Sequence, residues 1–312
     1  MQPKRRRRSS NTFSPNRPAL RYAIIGAGLI GTSIGLAVRR SMPKAKVVGY
    51  DRVAMHARSA LRRKALTSVA TSIESAVAHA QVILIAVPRR NVVSLLSRVL
   101  RSAPAGAIVL DVAGLKAEIV AAGRRGQQGM RAAVFVGGHP MAGTEKSGPD
   151  FARGDLFVRR TFALCLPPRL RRSDAVRQAE IFVRTLGAHP LHLSPREHDR
   201  VVAATSALPQ VVASAVAGAA ANLVGKHAAL AGPGLDGVIR LAASPPAIWT
   251  DDLIANKRNV LRALGVLERK LHGFRLAIAA GERTRLRRLL SAGTSAQRRL
   301  SLRRQVFLSR TE

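Results

Sequence analysis

Tyr22-Ala23-Ile24-Ile25-Gly26-Ala27-Gly28-Leu29-Ile30-Gly31 sets a short apolar run against a G-x-G-x-x-G turn, and a helical pattern continues from Leu29 to Arg40. Residues 22–25 read as a strand feeding a tight turn. Gly26 permits the turn, Gly28 lets backbone approach a pyrophosphate, and Gly31 lets the helix pack close to the strand. The unpaired N–H groups at the helix start, where Leu29 and Ile30 stand, suit bound phosphates. A second strand at residues 46–50 ends in Tyr50-Asp51, a carboxylate twenty residues after Gly31. Asp51 is placed to accept hydrogen bonds from ribose hydroxyls and to repel a 2'-phosphate, which favours NAD over NADP. Arg52, next to it, is the residue type that would accept such a phosphate. Val87 and Pro88 close a buried strand and suit the wall beside the dinucleotide; Pro88 equally suits a plain strand terminator.

Outward from that turn, β-type runs alternate with helical segments as far as residue 194. Residues 81–87 (QVILIAV), 107–112 and 133–136 are apolar without alternation, as strands buried on both faces require. Residues 161–166 form a further strand, followed by Pro167-Pro168 and an Arg/Ser-rich surface turn. A helix at 174–186 and a last strand at 189–193 complete this part. Beyond Ser194 the β runs stop and long helical periods take over. The pattern predicts an α/β fold, with an N-terminal Rossmann-type doubly wound parallel sheet followed by an all-α dimerisation domain. The segments are a disordered basic tail at residues 1–19, a dinucleotide-binding domain at 20–195 and a helical domain at 196–312. Residues 197–223 read as one Ala/Val-rich helix apolar around most of its circumference, so it needs burial all round, in part by a second subunit. Helical patterns starting at Pro245-Pro246 and running through residue 271, and a basic amphipathic stretch at 282–304, finish the chain.

The 312 residues are 47% hydrophobic but only 4% aromatic, so the core is built from small aliphatic side chains. The 52 Lys and Arg against 17 Asp and Glu give a net charge of +35. Pairs such as Arg39-Arg40, Arg62-Arg63 and Arg124-Arg125 scatter this charge along the whole chain, and no aromatic residues interleave with it to stack bases. The pattern therefore argues against nucleic acid as the main partner. A single cysteine, Cys165, favours a reducing compartment, read as the cytoplasm. The basic N-terminus has no apolar stretch after it, and the Ala-rich run at 211–224 is short for a membrane span. No metal site is read.

The segment Gly137-Gly138-His139-Pro140-Met141-Ala142-Gly143-Thr144-Glu145-Lys146-Ser147-Gly148 follows a strand and is too rich in glycine and polar groups for core. It is therefore expected as a loop at the carboxyl edge of the sheet. Together with the turn at Gly26 and the block from Ile239-Arg240-Leu241-Ala242 to Trp249 and Asn256, it closely resembles the prephenate dehydrogenase family, which includes arogenate dehydrogenases. The resemblance spans residues 22–304, and HPMAGTEKSG is its most specific part.

The resemblance implies oxidative decarboxylation of prephenate, a dicarboxylate, to 4-hydroxyphenylpyruvate with NAD as hydride acceptor. His139 matches the catalytic histidine, and a neutral imidazole suits uptake of the carbinol proton. Arg240 matches the arginine that grips a substrate carboxylate, a task for paired guanidinium hydrogen bonds. Ser206 matches a polar position on the long helix, where Gln210 can still donate to a carboxylate; Glu145 matches an acidic residue of the rim, and Trp249 an aromatic at the site edge that could equally be core. Asn256 suits either the site or a helix–helix hydrogen bond. Three motifs depart from the family pattern. Gly114 stands where a serine usually assists the histidine, Ala207 and Gln210 replace two histidines, and Gly237 replaces an aspartate. The substrate therefore stays open between prephenate and arogenate. Another NAD-linked dehydrogenase of this build and a non-catalytic basic NAD-binding protein remain as alternatives.

Overall fold

The computed structural model describes residues 20–127, 133–144, 146–166 and 173–311. The basic tail, the turn after Pro167 and Glu145 lie outside them. Eight strands form one sheet in the order β3-β2-β1-β4-β5-β6-β7-β8. They are β1 (Arg21–Ile25), β2 (Lys46–Tyr50), β3 (Ser68–Val69), β4 (Val82–Ile85), β5 (Ile108–Asp111), β6 (Val134–Pro140), β7 (Thr161–Cys165) and β8 (His189–Leu193). All pair in parallel except β6 with β7.

The absence of alternation in the central runs has a direct cause. Tyr22 and Ile24 of β1 and Val82 and Leu84 of β4 enter one apolar cluster, while Ala23, Ile25, Ile83 and Ile85 enter another on the opposite face. Helices α1 (Leu29–Ser41), α2 (Ala54–Arg62) and α6 (Asp174–Thr185) cover the first face. Helices α3 (Ile73–Val77), α4 (Arg89–Ser102) and α5 (Ala117–Gly126) cover the second. With both faces sealed, each strand residue gains from burial whichever way it points.

Two sequence expectations are corrected here. The parallel sheet carries one antiparallel pairing, and the histidine segment is not a loop at its start, because Gly137 to Pro140 continue β6 and pair with β7. Glycine is needed there for room. A Cβ at Gly138 would lie 2.4 Å from the Asp111 carbonyl oxygen, and one at Gly137 2.6 Å from Val120 Cγ2. Gly-rich composition thus marks close packing of β6 on β5 and α5.

After β8 the chain is helical throughout. Ser194 caps α7 (Pro195–Val202) by accepting from the Glu197 N–H, with Pro195 in the first turn. The expected single helix at 197–223 runs through without a break but carries a π-type turn at Ala203–Ala207, between α7 and α8 (Leu208–Val224). Pro209 suits that turn, because it has no N–H to donate. Then come α9 (Pro233–Ile239), α10 (Pro246–Ala255), α11 (Lys257–Ala279) and α12 (Arg283–Thr311). Of α8 only Gln210 and Ala213 are buried within the chain, so the apolar circumference is not covered by its own subunit.

The turn between β1 and α1 leaves no room for a side chain at Gly26 or Gly31. Gly26 adopts φ +101°, and a Cβ at Gly31 would lie 1.9 Å from the Gly26 carbonyl oxygen. Gly31→Ala is expected to force α1 away from β1 and to cost about 1–3 kcal/mol or more in urea unfolding. Gly28→Ala, whose Cβ would meet nothing within 4 Å, should stay within about 1 kcal/mol of the parent. Equal midpoints for the parent and Gly31→Ala would refute the packing role.

Candidate active site

The sheet reverses its winding between β1 and β4, and the loops after these strands open a crevice at their carboxyl ends. The glycine turn lies on one side of it. Gly28 precedes α1 with open space beside its α-carbon, and Leu29 and Ile30 form the half-buried first turn of that helix. Asp51, one residue past β2, accepts the Ala27 N–H at 2.7 Å and the Val53 N–H at 2.8 Å. The carboxylate therefore both braces the glycine turn and stands beside it. Each of its oxygens has a second lone pair for a hydroxyl. Val87 is half-buried and Pro88 exposed at the start of α4, next to this turn's contact with Ala86. An open Gly28, a free helix N-terminus and an acid at the end of β2 fit a dinucleotide.

A cleft of about 630 Å3 continues from Ile30 to the helical domain. His139, Ser206, Arg240 and Trp249 line it, as do Gly114, Ala207 and Asn256. Gln210 does not: its side chain is buried in α8, and its Oε1 has no partner. Gly237 sits on the exposed α9 rather than in the cleft. Lys146 and Arg160 add cations to the wall and Asp252 an acid. Among the described residues, no group of three or more His, Cys, Asp or Glu side chains is placed to hold a metal ion.

His139 reaches the cleft from β6 because the strand beneath it is pinned. Asp111 Oδ1 accepts the Gly138 N–H at 3.1 Å, while Oδ2 accepts the Ala113 N–H at 3.0 Å and pairs with the Lys116 ammonium. Both charged side chains are wholly buried. The His139 Nδ1 lies 2.9 Å from Nε2 of His198 in α7, with the rings edge to face, and leaves Nε2 to the cleft. His198 Nδ1 in turn lies 2.8 Å from Asp199 Oδ1. Asp199 accepts the Lys116 and Ala117 N–H groups at 2.8 and 2.9 Å, and its carbonyl oxygen accepts from Asn256 Nδ2 at 2.7 Å. Asn256 thus makes a helix–helix hydrogen bond at the cleft wall. Desolvation first, then the nearness of a second titratable imidazole at His198 and of the Lys116 charge, hold the His139 pKa well below the usual imidazole value.

Sequence reading missed His198, Asp199 and Asp252. The signal for the first two was a His-Asp dipeptide in the first turns of the helix that opens the second domain, where a side chain can face the crevice. Asp252 explains Gly114, because a Cβ there would meet Asp252 Oδ2 at 2.9 Å. Arg89 Nε donates to Asp252 Oδ1 at 2.6 Å and Arg89 Nη2 to the Asp251 carbonyl at 3.0 Å, which straps α10 to α4. Burial raises the Asp252 pKa, and the Arg89 pairing opposes that rise.

Two family profiles match consecutive parts of the chain: the prephenate dehydrogenase nucleotide-binding domain over residues 34–191 and the prephenate dehydrogenase dimerization domain over 194–292. Prephenate dehydrogenase of Bacillus subtilis is 32% identical over 242 residues, which are 76% of this chain and 64% of that relative. The chain therefore spans less than two thirds of that relative's length. Among solved structures, prephenate dehydrogenase from A. aeolicus in complex with hydroxyphenyl propionate and NAD+ superposes with a TM-score of 0.81 at 25% identity, covering 91% of this chain and 99% of the other. Synechocystis arogenate dehydrogenase gives 0.75 at 25% identity, covering 90% and 100%.

The buried Lys116–Asp111 pair is expected to be costly to break from one side. Lys116→Met leaves a carboxylate without its counter-ion and should lower stability by about 3–5 kcal/mol in urea unfolding. Adding Asp111→Asn should recover a large part of that loss. A Lys116→Met protein as stable as the parent would remove the pair from the site's framework.

Proposed function

The chain belongs to the prephenate dehydrogenase family, and from that premise we propose that it oxidises and decarboxylates a cyclohexadienyl acid, prephenate or arogenate, with NAD as hydride acceptor. The observation that carries this reading is the His139 ring, with one nitrogen engaged and one left to a cleft that also holds Arg240 and runs from the glycine turn. The A. aeolicus relative was solved with NAD+ and a hydroxyphenyl acid. Bound NAD supplies the hydride acceptor.

The chain's own residues do the rest. The N-terminus of α1 and Gly28 receive the pyrophosphate, and Asp51 takes the ribose hydroxyls, which selects NAD. Arg240, which lines the cleft with Ser206, holds a substrate carboxylate; Glu145 matches an acidic residue of the family motif, and Trp249 closes the apolar side. His139 takes the carbinol proton as the carbonyl develops. Loss of the ring carboxylate as carbon dioxide returns its bonding electrons to the ring, and the resulting phenolate oxygen takes that proton back from His139. The step consumes no net proton, so a base that is neutral at rest suits it. Gln210, sealed in α8, acts on packing rather than on substrate.

Purified protein is expected to produce NADH from NAD with prephenate, arogenate or both, and His139→Asn should abolish turnover while NAD binding stays within about threefold. Because the depressed His139 pKa keeps the imidazole unprotonated to lower pH, kcat/KM should hold steady down through pH ~6.5 and fall only below it. Absence of NADH with either substrate, or an acid limb centred above the ordinary imidazole value, would count against the assignment.

We also read the helical domain as the dimer surface. Leu223, Leu230, Ile254, Leu261 and Ile278 are exposed in the single chain, and the dimerization-domain match covers this region. Residues 195–230 are helical and, by length and composition alone, apolar enough to cross a membrane. A second copy is the occupant that the family match supports, and it supports a protein working in solution, as the cytoplasmic reading requires. Sedimentation at micromolar concentration is expected to give twice the chain mass of 33.4 kDa; a monomer would overturn this assignment.

A further inference from the structure

We infer that His198 and Asp199 are positioning residues which fix the ring tautomer of His139, so that its Nε2 presents a bare lone pair to the cleft. The inference deepens the oxidation reading and rests on it for its chemistry, but the tautomer itself belongs to the unliganded protein.

The argument runs inward from the carboxylate. Asp199 accepts two backbone N–H groups at the start of α5, one on each oxygen, so both oxygens act as acceptors. The hydrogen between Asp199 Oδ1 and His198 Nδ1, 2.8 Å apart, therefore belongs to the imidazole. His198 is 1% exposed, and in its neutral ring the hydrogen that faces Asp199 is the only one it carries. Its Nε2 is then bare. Two bare ring nitrogens cannot face each other at the 2.9 Å that separates His198 Nε2 from His139 Nδ1, so His139 carries its hydrogen on Nδ1. Nε2 is the nitrogen that remains.

The neighbouring groups leave this order intact. Asp111 neutralises Lys116, burial pushes the Cys165 thiol up to about 12 and keeps it neutral, and Arg89 holds Asp252. Among the described residues, the contact with His198 is the hydrogen bond that distinguishes the two ring nitrogens of His139. Without it the ring would divide between tautomers, and the Nε2–H form cannot accept the carbinol proton.

The test combines a spectroscopic and a kinetic measurement on the full chain. In 15N-histidine-labelled protein at pH 7.5, long-range 1H–15N spectra should show His139 and His198 each protonated at Nδ1 and pyridine-like at Nε2, with assignments taken from His139→Asn and His198→Gln. A His139 ring protonated at Nε2, or a doubly protonated His198, overturns the proposal. In turnover, His198→Phe should lower kcat by about a hundredfold or more with KM within about threefold. His198→Gln, whose amide oxygen can still accept from His139 Nδ1, should retain at least ~10 times the activity of His198→Phe. Equal losses in the two variants, or no loss in either, also overturn it. Should His198→Phe fail to fold, the spectra of the parent decide alone. If neither prephenate nor arogenate is oxidised, the functional reading fails while the tautomer remains measurable.

Discussion

One carboxylate without access to water, Asp111, organises the candidate site. It ends β5, receives the Gly138 N–H from β6, the Ala113 N–H from its own loop and the Lys116 ammonium. Taking both charges out of water is costly, and a buried pair is sustained only where its remaining hydrogen-bonding capacity is met. Here it is met by backbone that cannot shift without breaking the sheet. The consequence is a fixed 111–117 turn. Its last two N–H groups, at Lys116 and Ala117, then face outward to grip Asp199 of the following domain.

Polar contacts thus fix how the two domains meet. The helical domain's own small core comprises Ala203, Ala207 and Val260, with Trp249, Leu253 and Leu264 packed against it. A cluster of that size stabilises little by burial alone. Asn256 on the Asp199 carbonyl and Arg89 on Asp252 and the Asp251 carbonyl supply direction instead, setting where α10 and α7 stand over the crevice. Leu223 of α8, Ile254 of α10 and Leu261 and Ile278 of α11 stay exposed in the single chain, which suits a surface for a second subunit. Docking geometry and assembly thus draw on different residues.

Much of this was legible in the sequence. The glycine turn, the acid at the end of β2 and the non-alternating strands each have one cheap physical explanation, so local pattern sufficed. Three features escaped. The continuation of β6 through His139 looked like loop because glycine usually marks loops, whereas Gly137 and Gly138 are there to let β5, α5 and the strand approach closely. The pairing of His139 with His198 spans 59 positions and depends on how α7 docks, which no local period encodes. The two-residue β3 is too short to carry a pattern. The apolar circumference of α8 was visible, but how much of it one chain covers was not.

Gly114 shows how a departure from family pattern can be explained by packing. A serine there would need the volume that the Asp252 carboxylate occupies, and that carboxylate is held by Arg89 from the opposite domain. Relaxing the position would free an acid into a cleft otherwise walled by Arg240, Lys146 and Arg160. Pairing Asp252 with Arg89 removes its repulsion for an anionic ligand while keeping α10 in place. With a net charge of +35 on the chain, the surrounding field already draws anions inward. The one acid that the described residues place in the cleft wall is thus tied up in structure, and the cations that line the wall face the proposed dicarboxylate without a competing acid.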